Sequence, residues 1–451
     1  MTGSMLSSTG RGTFPRGVHP PEGKELSADA PIEVLPTPKR VTVPLLQHLG
    51  APARLLVKPR QEVAWGQKIG EAGGFISAAV HASQAGKTGL GTSVTLPNGR
   101  HVPAVPIATG EAEQVEGDAL RADVLGGDWP VEVGGYEPRQ IAEAVAEAGI
   151  VGLGGAAFPT HVKLLKNDKK PIDTLLVNGC ECEPYLTSDY RLMLEHPEPI
   201  VTGALLAARA NEAARVVVVI EDNKPRAVES MRQAAGATGI EVAVVRTKYP
   251  QGGERQAIQA VTAREVPTLG LPLDIGVVVV NVGTAAAIAR AVVRGRPLTH
   301  RVVSVTGGGV ARPRNLLVPV GASYAELIDF CGGLNAEAAR VVAGGPMMGF
   351  TLGDLDTPVT KGTSGVTVLT RDDVRRAEET SCLRCGRCVD ACPLGLVPAK
   401  IAEAARHDDW ELARTYHMQA CMECGCCAYT CPASIPLVQW IRLGKARMPK
   451  E

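Results

Sequence analysis

The sequence predicts a multidomain α/β protein in four folded parts: a β-rich, barrel-sandwich-like domain, a central α/β domain, a β-grasp module and an α-helical C-terminal domain wrapped around two cysteine loops. Three observations carry this. Short strands broken by glycines crowd residues 40–115. Longer apolar strands alternate with helical stretches from residue 140 onward. Eight of the twelve cysteines fall in two copies of one pattern near the C-terminus.

In chain order, residues 1–39 are polar and rich in Pro and Gly, and read as an arm lying on another surface. Residues 40–130 form the first domain. Its expected strands are Arg40–Leu45, Ala53–Leu56, Glu62–Ala64, Lys68–Gly70, Phe75–Ala78, Ser93–Leu96 and Val102–Val105, with a turn at Pro97-Asn98-Gly99. Gly70–Ser83 resembles half of a biotinyl/lipoyl-type barrel. His81-Ala82-Ser83 stands where such domains present their modified lysine, so a swinging arm is disfavoured and a structural or docking role is expected.

Residues 131–297 form the α/β domain. Thr174–Asn178, Val216–Ile220, Val242–Arg246 and Gly276–Asn281 are the expected strands of a mainly parallel sheet. Gln140–Ala148, Glu198–Ala210 and Pro225–Gly236 are the expected helices. In residues 298–370, Val302–Thr306, a Gly307–Gly309 turn, Leu316–Val320 and a helix at Tyr324–Cys331 suggest a β-grasp. Residues 371–451 read as helical around the cysteine loops, with Ala399–Arg406 and Trp410–His417 as a spacer.

The two cysteine runs are Cys382-x-x-Cys385-x-x-Cys388-x-x-x-Cys392-Pro393 and Cys421-x-x-Cys424-x-x-Cys427-x-x-x-Cys431-Pro432. This is the bacterial spacing for two [4Fe–4S] clusters, in which three thiolates come from one loop and the fourth from the other run. Cys382, Cys385, Cys388 and Cys431 are therefore assigned to one cluster, and Cys421, Cys424, Cys427 and Cys392 to the other. Paired zinc sites would leave the repeated x-x-x-Cys-Pro unexplained. Disulfides fit poorly with a chain in which Met1 to Val18 shows no apolar export signal. Cys426 is an extra thiol that breaks the repeat. Cys180, Cys182 and Cys331 read as ordinary buried thiols.

A second signal is Gly152-Leu153-Gly154-Gly155-Ala156-Ala157-Phe158-Pro159-Thr160-His161-Val162-Lys163. Clustered glycines let backbone N–H groups approach a phosphate or a flavin ring, and Lys163 adds a charge. By itself such a run is equally a tight turn, and it is neither a Walker A loop nor a clear Rossmann fingerprint. Asn178-Gly179-Cys180-Glu181-Cys182-Glu183-Pro184, Tyr249–Glu254 and Asn281-Val282-Gly283-Thr284 lie at or near strand ends, where α/β proteins build ligand sites.

Taken in order, these motifs are similar to the flavin-binding motifs of the NADH-binding subunit of respiratory complex I. The resemblance implies that Gly152, Gly154, Gly155, Lys163, Asn178, Glu254, Asn281 and Thr284 surround FMN, that Phe158 stacks on the nicotinamide and that Glu183 faces the NADH ribose. Leu153, His161 and Arg255 depart from that pattern, where complex I has Arg, Gly and Glu. The departures bear on nucleotide binding more than on FMN.

The chain as a whole resembles the C subunits of Rnf ion-translocating electron-transport complexes. Gly17-Val18-His19-Pro20, Pro31-Ile32-Glu33, Gln47–Pro52, Val80–Ser83 and Gly344-Gly345-Pro346-Met347-Met348-Gly349 carry the match together with the paired cluster motif. The β-grasp then corresponds to an SLBB-like module. The resemblance implies an NADH:ferredoxin oxidoreductase-type translocase subunit holding FMN and two [4Fe–4S] clusters. Its implied partners are NAD(H), an iron–sulfur B-type subunit and, indirectly, ferredoxin or flavodoxin. Its implied place is peripheral, on the cytoplasmic face of the bacterial inner membrane. An FMN-dependent cobalamin reductase is the alternative, disfavoured by the barrel-like segment before the flavin motif. A non-catalytic electron wire is another, kept by Leu153 and Arg255.

Composition agrees. Formal net charge is zero and aromatics are 4%, so neither electrostatics nor base stacking supports a nucleic-acid partner. Ile275–Val282 and Ala285–Val293 are the longest apolar candidates, and both fall short of the ~20 residues a membrane span needs.

Overall fold

The computed structural model describes residues 10, 12–166, 169–374 and 377–449; residues 1–9 and 11 of the expected arm lie outside them. The described arm threads over three other parts of the protein. Gly10 and Gly12 donate to Val261 and Ala260 carbonyls, Gly17 N donates to the Ala391 carbonyl of the C-terminal domain, and Val18 bridges Tyr249. Ile32–Val34 then pairs in parallel with Arg314–Pro319 and becomes the edge of a six-stranded sheet. Sequence alone left these three residues as arm because a strand this short has no visible alternation.

The barrel-like domain closes two small sheets over one apolar core. Arg40–Pro44, His101–Ala108, Gly86–Thr88 and Glu62–Val63 form the main path of one, with Thr92–Thr95 paired to His101–Ala108. Arg54–Leu55, Lys68–Glu71 and Val80–His81 form the other. The expected strand at Phe75–Ala78 is a bend instead. Ser77 Oγ accepts from Gly73 N and donates to the Ala51 carbonyl, so the backbone turns on its own side chain rather than joining a ladder. His81 is buried with its pKa pushed down to about 3, first by burial and then by the charge of Lys361. A buried, neutral imidazole here fits a structural position.

In the central domain, strand order runs Glu241–Val245, Arg215–Glu221, Thr174–Asn178, Val277–Asn281, all parallel. Runs of Val, Leu and Ile suit strands covered on both faces by helices. The chain winds one way through the first three strands and then reverses, so the topological switch point lies between Thr174–Asn178 and Val277–Asn281. Their last residues, Asn178 and Asn281, stand side by side. Asn281 is also the N-cap of the helix Val282–Arg294, accepting from Gly283 N at 2.8 Å and Thr284 N at 3.3 Å. Strand passes to helix without a loop, which fixes Thr284 beside the crevice.

The six-stranded sheet continues through His300–Thr306, Gly365–Thr370, Ala338–Ala343 and Phe350–Thr351, with Tyr324–Phe330 packed on it as the β-grasp helix. Cys331 lies in this core. The C-terminal domain has helices at Arg387–Ala391, Pro398–Arg406, Trp410–Thr415, Cys426–Tyr429 and Leu437–Arg447. Residues 377–381, ahead of the first cysteine loop, are not helical, contrary to the sequence expectation; the loop itself stays irregular up to Gly386.

Lys361 ties three parts together. Its Nζ donates to the Ala79 carbonyl of the barrel (2.6 Å) and the Gly149 carbonyl of the α/β domain (2.7 Å), and its own N–H reaches Gln47 Oε1. Burial pushes its pKa from 10.5 down to about 7. The unfolded chain therefore holds this proton more tightly across that window. Stability rises as pH goes from about 7 towards 10.5, and the contribution is lost as pH falls through about 7. Lys361→Met should flatten this rise in a series of denaturant melts. An unchanged pH profile would contradict the assignment.

Candidate flavin and iron–sulfur centre

The glycine run lies directly over the switch point. Val151 bridges Pro159, and Gly152 N donates to the Phe158 carbonyl at 2.8 Å, so residues 153–157 project as a tight loop. Leu153 N donates to Thr284 Oγ1 at 2.9 Å, while the Leu153 carbonyl accepts from Arg301. A Cβ on Gly154 would stand 2.8 Å from Asn281 Nδ2, so only glycine allows this approach. A Cβ on Gly155 would meet nothing within 4 Å. Residues 154–156 are exposed.

Opposite the loop, Lys163 Nζ donates to Glu254 Oε1 at 2.8 Å and to the Val279 carbonyl at 3.0 Å. Asn178 Nδ2 donates to the Gly252 carbonyl and Asn178 Oδ1 accepts from Cys180 N. Asn281 Nδ2 donates to Asp189 Oδ2 at 2.6 Å. The Asp189 carboxyl is pushed up to about 7 by burial and by the charge of Glu181, against its hydrogen bond from Asn281 and the charge of Arg301. Gly154, Asn281 and Thr284 thus meet at the switch point, with the Lys163–Glu254 pair and the Asn178–Gly252 bond at the neighbouring strand ends. Open backbone, a lysine paired to a carboxylate and a helix N-terminus are a donor set suited to a flavin and its phosphate.

Two departures from the complex I pattern lie outside the crevice. The Leu153 side chain is in the core. The Arg255 guanidinium bonds the carbonyls of Val266, Pro267 and Gly270. Phe158 is half-buried at the loop's base. Glu183 is held at the crevice edge by the β-grasp: its carboxylate accepts from Met347 N (3.2 Å) and Met348 N (2.7 Å). Burial pushes its pKa up to about 7 despite those donors. Sequence reading missed Asp189 and Arg301, neither of which sits in a patterned motif, and gave Tyr249 no role of its own within the Tyr249–Glu254 run. The Gly344–Gly349 run was visible, but not its grip on Glu183.

The two cysteine loops have one backbone shape. Left-handed residues recur at equal offsets: Arg384, Gly386 and Gly395 in the first, Glu423, Gly425 and Ser434 in the second. Cys392 lies within electrostatic reach of Cys421, Cys424, Cys426 and Cys427, and Cys382 and Cys385 within reach of Cys388. Among the described residues no three ligand-type side chains converge as on a single ion; the thiolates of a cube each bind a different iron. Cys180 is buried, Cys182 is half-buried beside Gly252, and burial raises both thiols.

The second loop packs on the flavin side. Tyr249 Oη donates to the Cys424 carbonyl at 2.7 Å. Val18, Tyr249, Ala391, Cys424 and Cys426 form an apolar junction with Cys182, Met347 and Met422. The first loop faces solvent, with Cys382 and Cys385 exposed.

Comparison with known proteins agrees with this layout. Family models match in order: the RnfC barrel sandwich hybrid domain at 12–112, the Nuo51 FMN-binding domain at 145–290, the SLBB domain at 302–351 and a 4Fe-4S dicluster domain at 381–435. The chain is 43% identical to the C subunit of the proton-translocating ferredoxin:NAD(+) oxidoreductase complex of Clostridium ljungdahlii, covering 96% of this chain and 93% of that one. It is 41% identical to the C subunit of the Na(+)-translocating ferredoxin:NAD(+) oxidoreductase complex of Acetobacterium woodii, covering 96% of each. It is 41% identical to the C subunit of the ion-translocating oxidoreductase complex of Rhodobacter capsulatus, covering 96% of this chain and 82% of that one. With cluster loops, flavin-type crevice and near full-length identity in agreement, the chain belongs to the family of C subunits of ion-translocating Rnf oxidoreductase complexes.

Proposed function

We propose that this chain oxidises NADH at an FMN in the Asn178–Asn281 crevice and sends electrons singly through the inner cluster (Cys421, Cys424, Cys427, Cys392). They continue through the outer cluster (Cys382, Cys385, Cys388, Cys431) to an iron–sulfur B-type subunit and then ferredoxin or flavodoxin. The same route serves the reverse direction. FMN, when bound, takes two electrons as a hydride and releases them one at a time, matching one-electron clusters. The carrying observation is the apolar junction that seats the Cys421–Cys427 loop against the flavin domain.

In this reading Gly152, Gly154 and Gly155 admit the flavin to the backbone. Lys163, held by Glu254, supplies positive charge beside it. Asn178, Asn281 and Thr284 place amide and hydroxyl groups around it. Phe158 offers its ring to the nicotinamide. Glu183 has lone pairs beyond those bonded to Met347 and Met348, and these can accept from a ribose hydroxyl. Among the described residues no helix is long and apolar enough to cross a membrane. Ion movement accordingly belongs to other subunits, with this chain on the cytoplasmic face.

An anaerobic NADH titration of the reconstituted protein, followed by visible absorbance and EPR, tests the proposal. Flavin bleaching with a reduced [4Fe–4S] signal is expected. A cluster-loaded sample that binds no flavin would overturn the site, and bound flavin that NADH leaves oxidised would leave only an electron wire. Cys426→Ala should keep about eight irons per chain, whereas Cys427→Ala should lose about four; an equal loss would make Cys426 a ligand. Arg255→Ala should leave the flavin content unchanged while lowering the melting temperature, because its three bonds are to a loop away from the crevice.

A further inference from the structure

Each residue of the first cysteine run has its counterpart 39 positions on in the second, and the backbones match. The protein therefore contains a worked example of how such a loop docks. In the second run, Met422 reaches the flavin domain, where a Cβ on Gly253 would stand 2.9 Å from its terminal methyl. A Cβ on Gly425 would stand 2.6 Å from the Met347 carbonyl oxygen. Tyr249 Oη closes the contact on Cys424.

In the first run, the counterparts are free. Leu383 replaces Met422 and is 66% exposed. Gly386 replaces Gly425, and a Cβ there would meet nothing within 4 Å. Residues 381–387 are exposed throughout, including two assigned ligands. Arg384 and Arg387 are the charged residues of this stretch, standing where the docked loop has Glu423 and Cys426. Nearby carboxylates are partly taken: Glu379 pairs with Arg406 and Glu403 with Lys400, while Glu378 and Asp390 are exposed.

We propose that the Ser381–Arg387 loop is the electron exit. It docks a one-electron iron–sulfur protein with an acidic rim, seating Leu383 in an apolar contact as Met422 is seated on Gly253. This rests on the functional reading above and specifies the partner surface it needs. For each NADH oxidised to NAD+ with release of one proton, two electrons leave in two single transfers, each reducing one partner cluster. Opposite charge on the partner steers encounter, and the apolar centre holds the complex.

The probe is an acidic two-[4Fe–4S] ferredoxin, used with the FMN- and cluster-loaded full chain. Calorimetric affinity is measured first, without NADH, and then stopped-flow reduction of the ferredoxin by NADH. Leu383→Asp and Arg387→Glu should each weaken binding and slow transfer about tenfold or more. Iron content, flavin bleaching by NADH and reduction of methyl viologen should stay unchanged. Salt should weaken binding to the unsubstituted chain and affect Arg387→Glu less. Unchanged affinity and rate in both variants would overturn the proposal. If NADH fails to reduce the clusters of the unsubstituted chain, the functional reading falls, and the calorimetric comparison still decides the surface.

Discussion

Electron transfer between buried centres falls off steeply with distance, so everything here depends on keeping one cysteine loop pressed against the flavin domain. The junction that does this draws on distant parts of the chain. Val18 comes from the arm, Cys182 and Tyr249 from the α/β domain, Met347 from the β-grasp, and Ala391, Met422, Cys424 and Cys426 from the cluster domain. Tyr249 is its centre. Its N–H and carbonyl pair with Val18, and its hydroxyl reaches the Cys424 carbonyl. A buried hydroxyl left without that carbonyl would carry a desolvation penalty, so the bond resists any drift of the loop.

The turn that carries Cys182 and Glu183 is braced from the other side by buried charge. Lys24 Nζ donates to the carbonyls of Glu181, Glu183 and Leu186 at 2.8, 2.9 and 2.6 Å. Burial and the nearby Lys224 charge lower its pKa. Lys224 itself pairs with Glu221 at 3.0 Å, both nearly fully buried. The Glu181 carboxylate accepts from Asp189 N and Tyr190 N at the start of the helix Ser188–Glu195. Removing one partner from such a set strands a charge in a low-dielectric interior. The arm thus acts as a brace for the turn, which explains why a polar, Pro- and Gly-rich segment is ordered at all.

Much of this was legible in the chain itself, for physical reasons. Metal-ligand spacing is local, so the two cysteine runs announced their chemistry without any fold. Buried parallel strands are continuous apolar runs, so the four strands of the central sheet could be placed to within a residue or two. What sequence hid is what depends on long-range closure. Ile32–Val34 is a strand only because Arg314–Pro319 offers it an edge. Phe75–Ala78 has strand-like residues, but Ser77 folds the backbone back on itself. Leu153 and Arg255 looked like altered cofactor contacts, and only the fold shows one entering the core and the other bonding the 266–270 loop.

The two cluster loops also show how one local sequence pattern acquires two roles. Identical spacing and left-handed turns give both loops the same ligand geometry, so the difference between them lies in their surroundings. The second loop is enclosed by apolar neighbours, by the Cys426 thiol and by Lys445, whose Nζ reaches the Cys421 carbonyl. The first is exposed and carries Arg384 and Arg387. Exposure, hydrogen bonding and nearby charge set the potential of such clusters. A repeated module docked along one loop and open along the other therefore has an inner and an outer face before any partner binds, and the proposed electron path takes its order from that asymmetry.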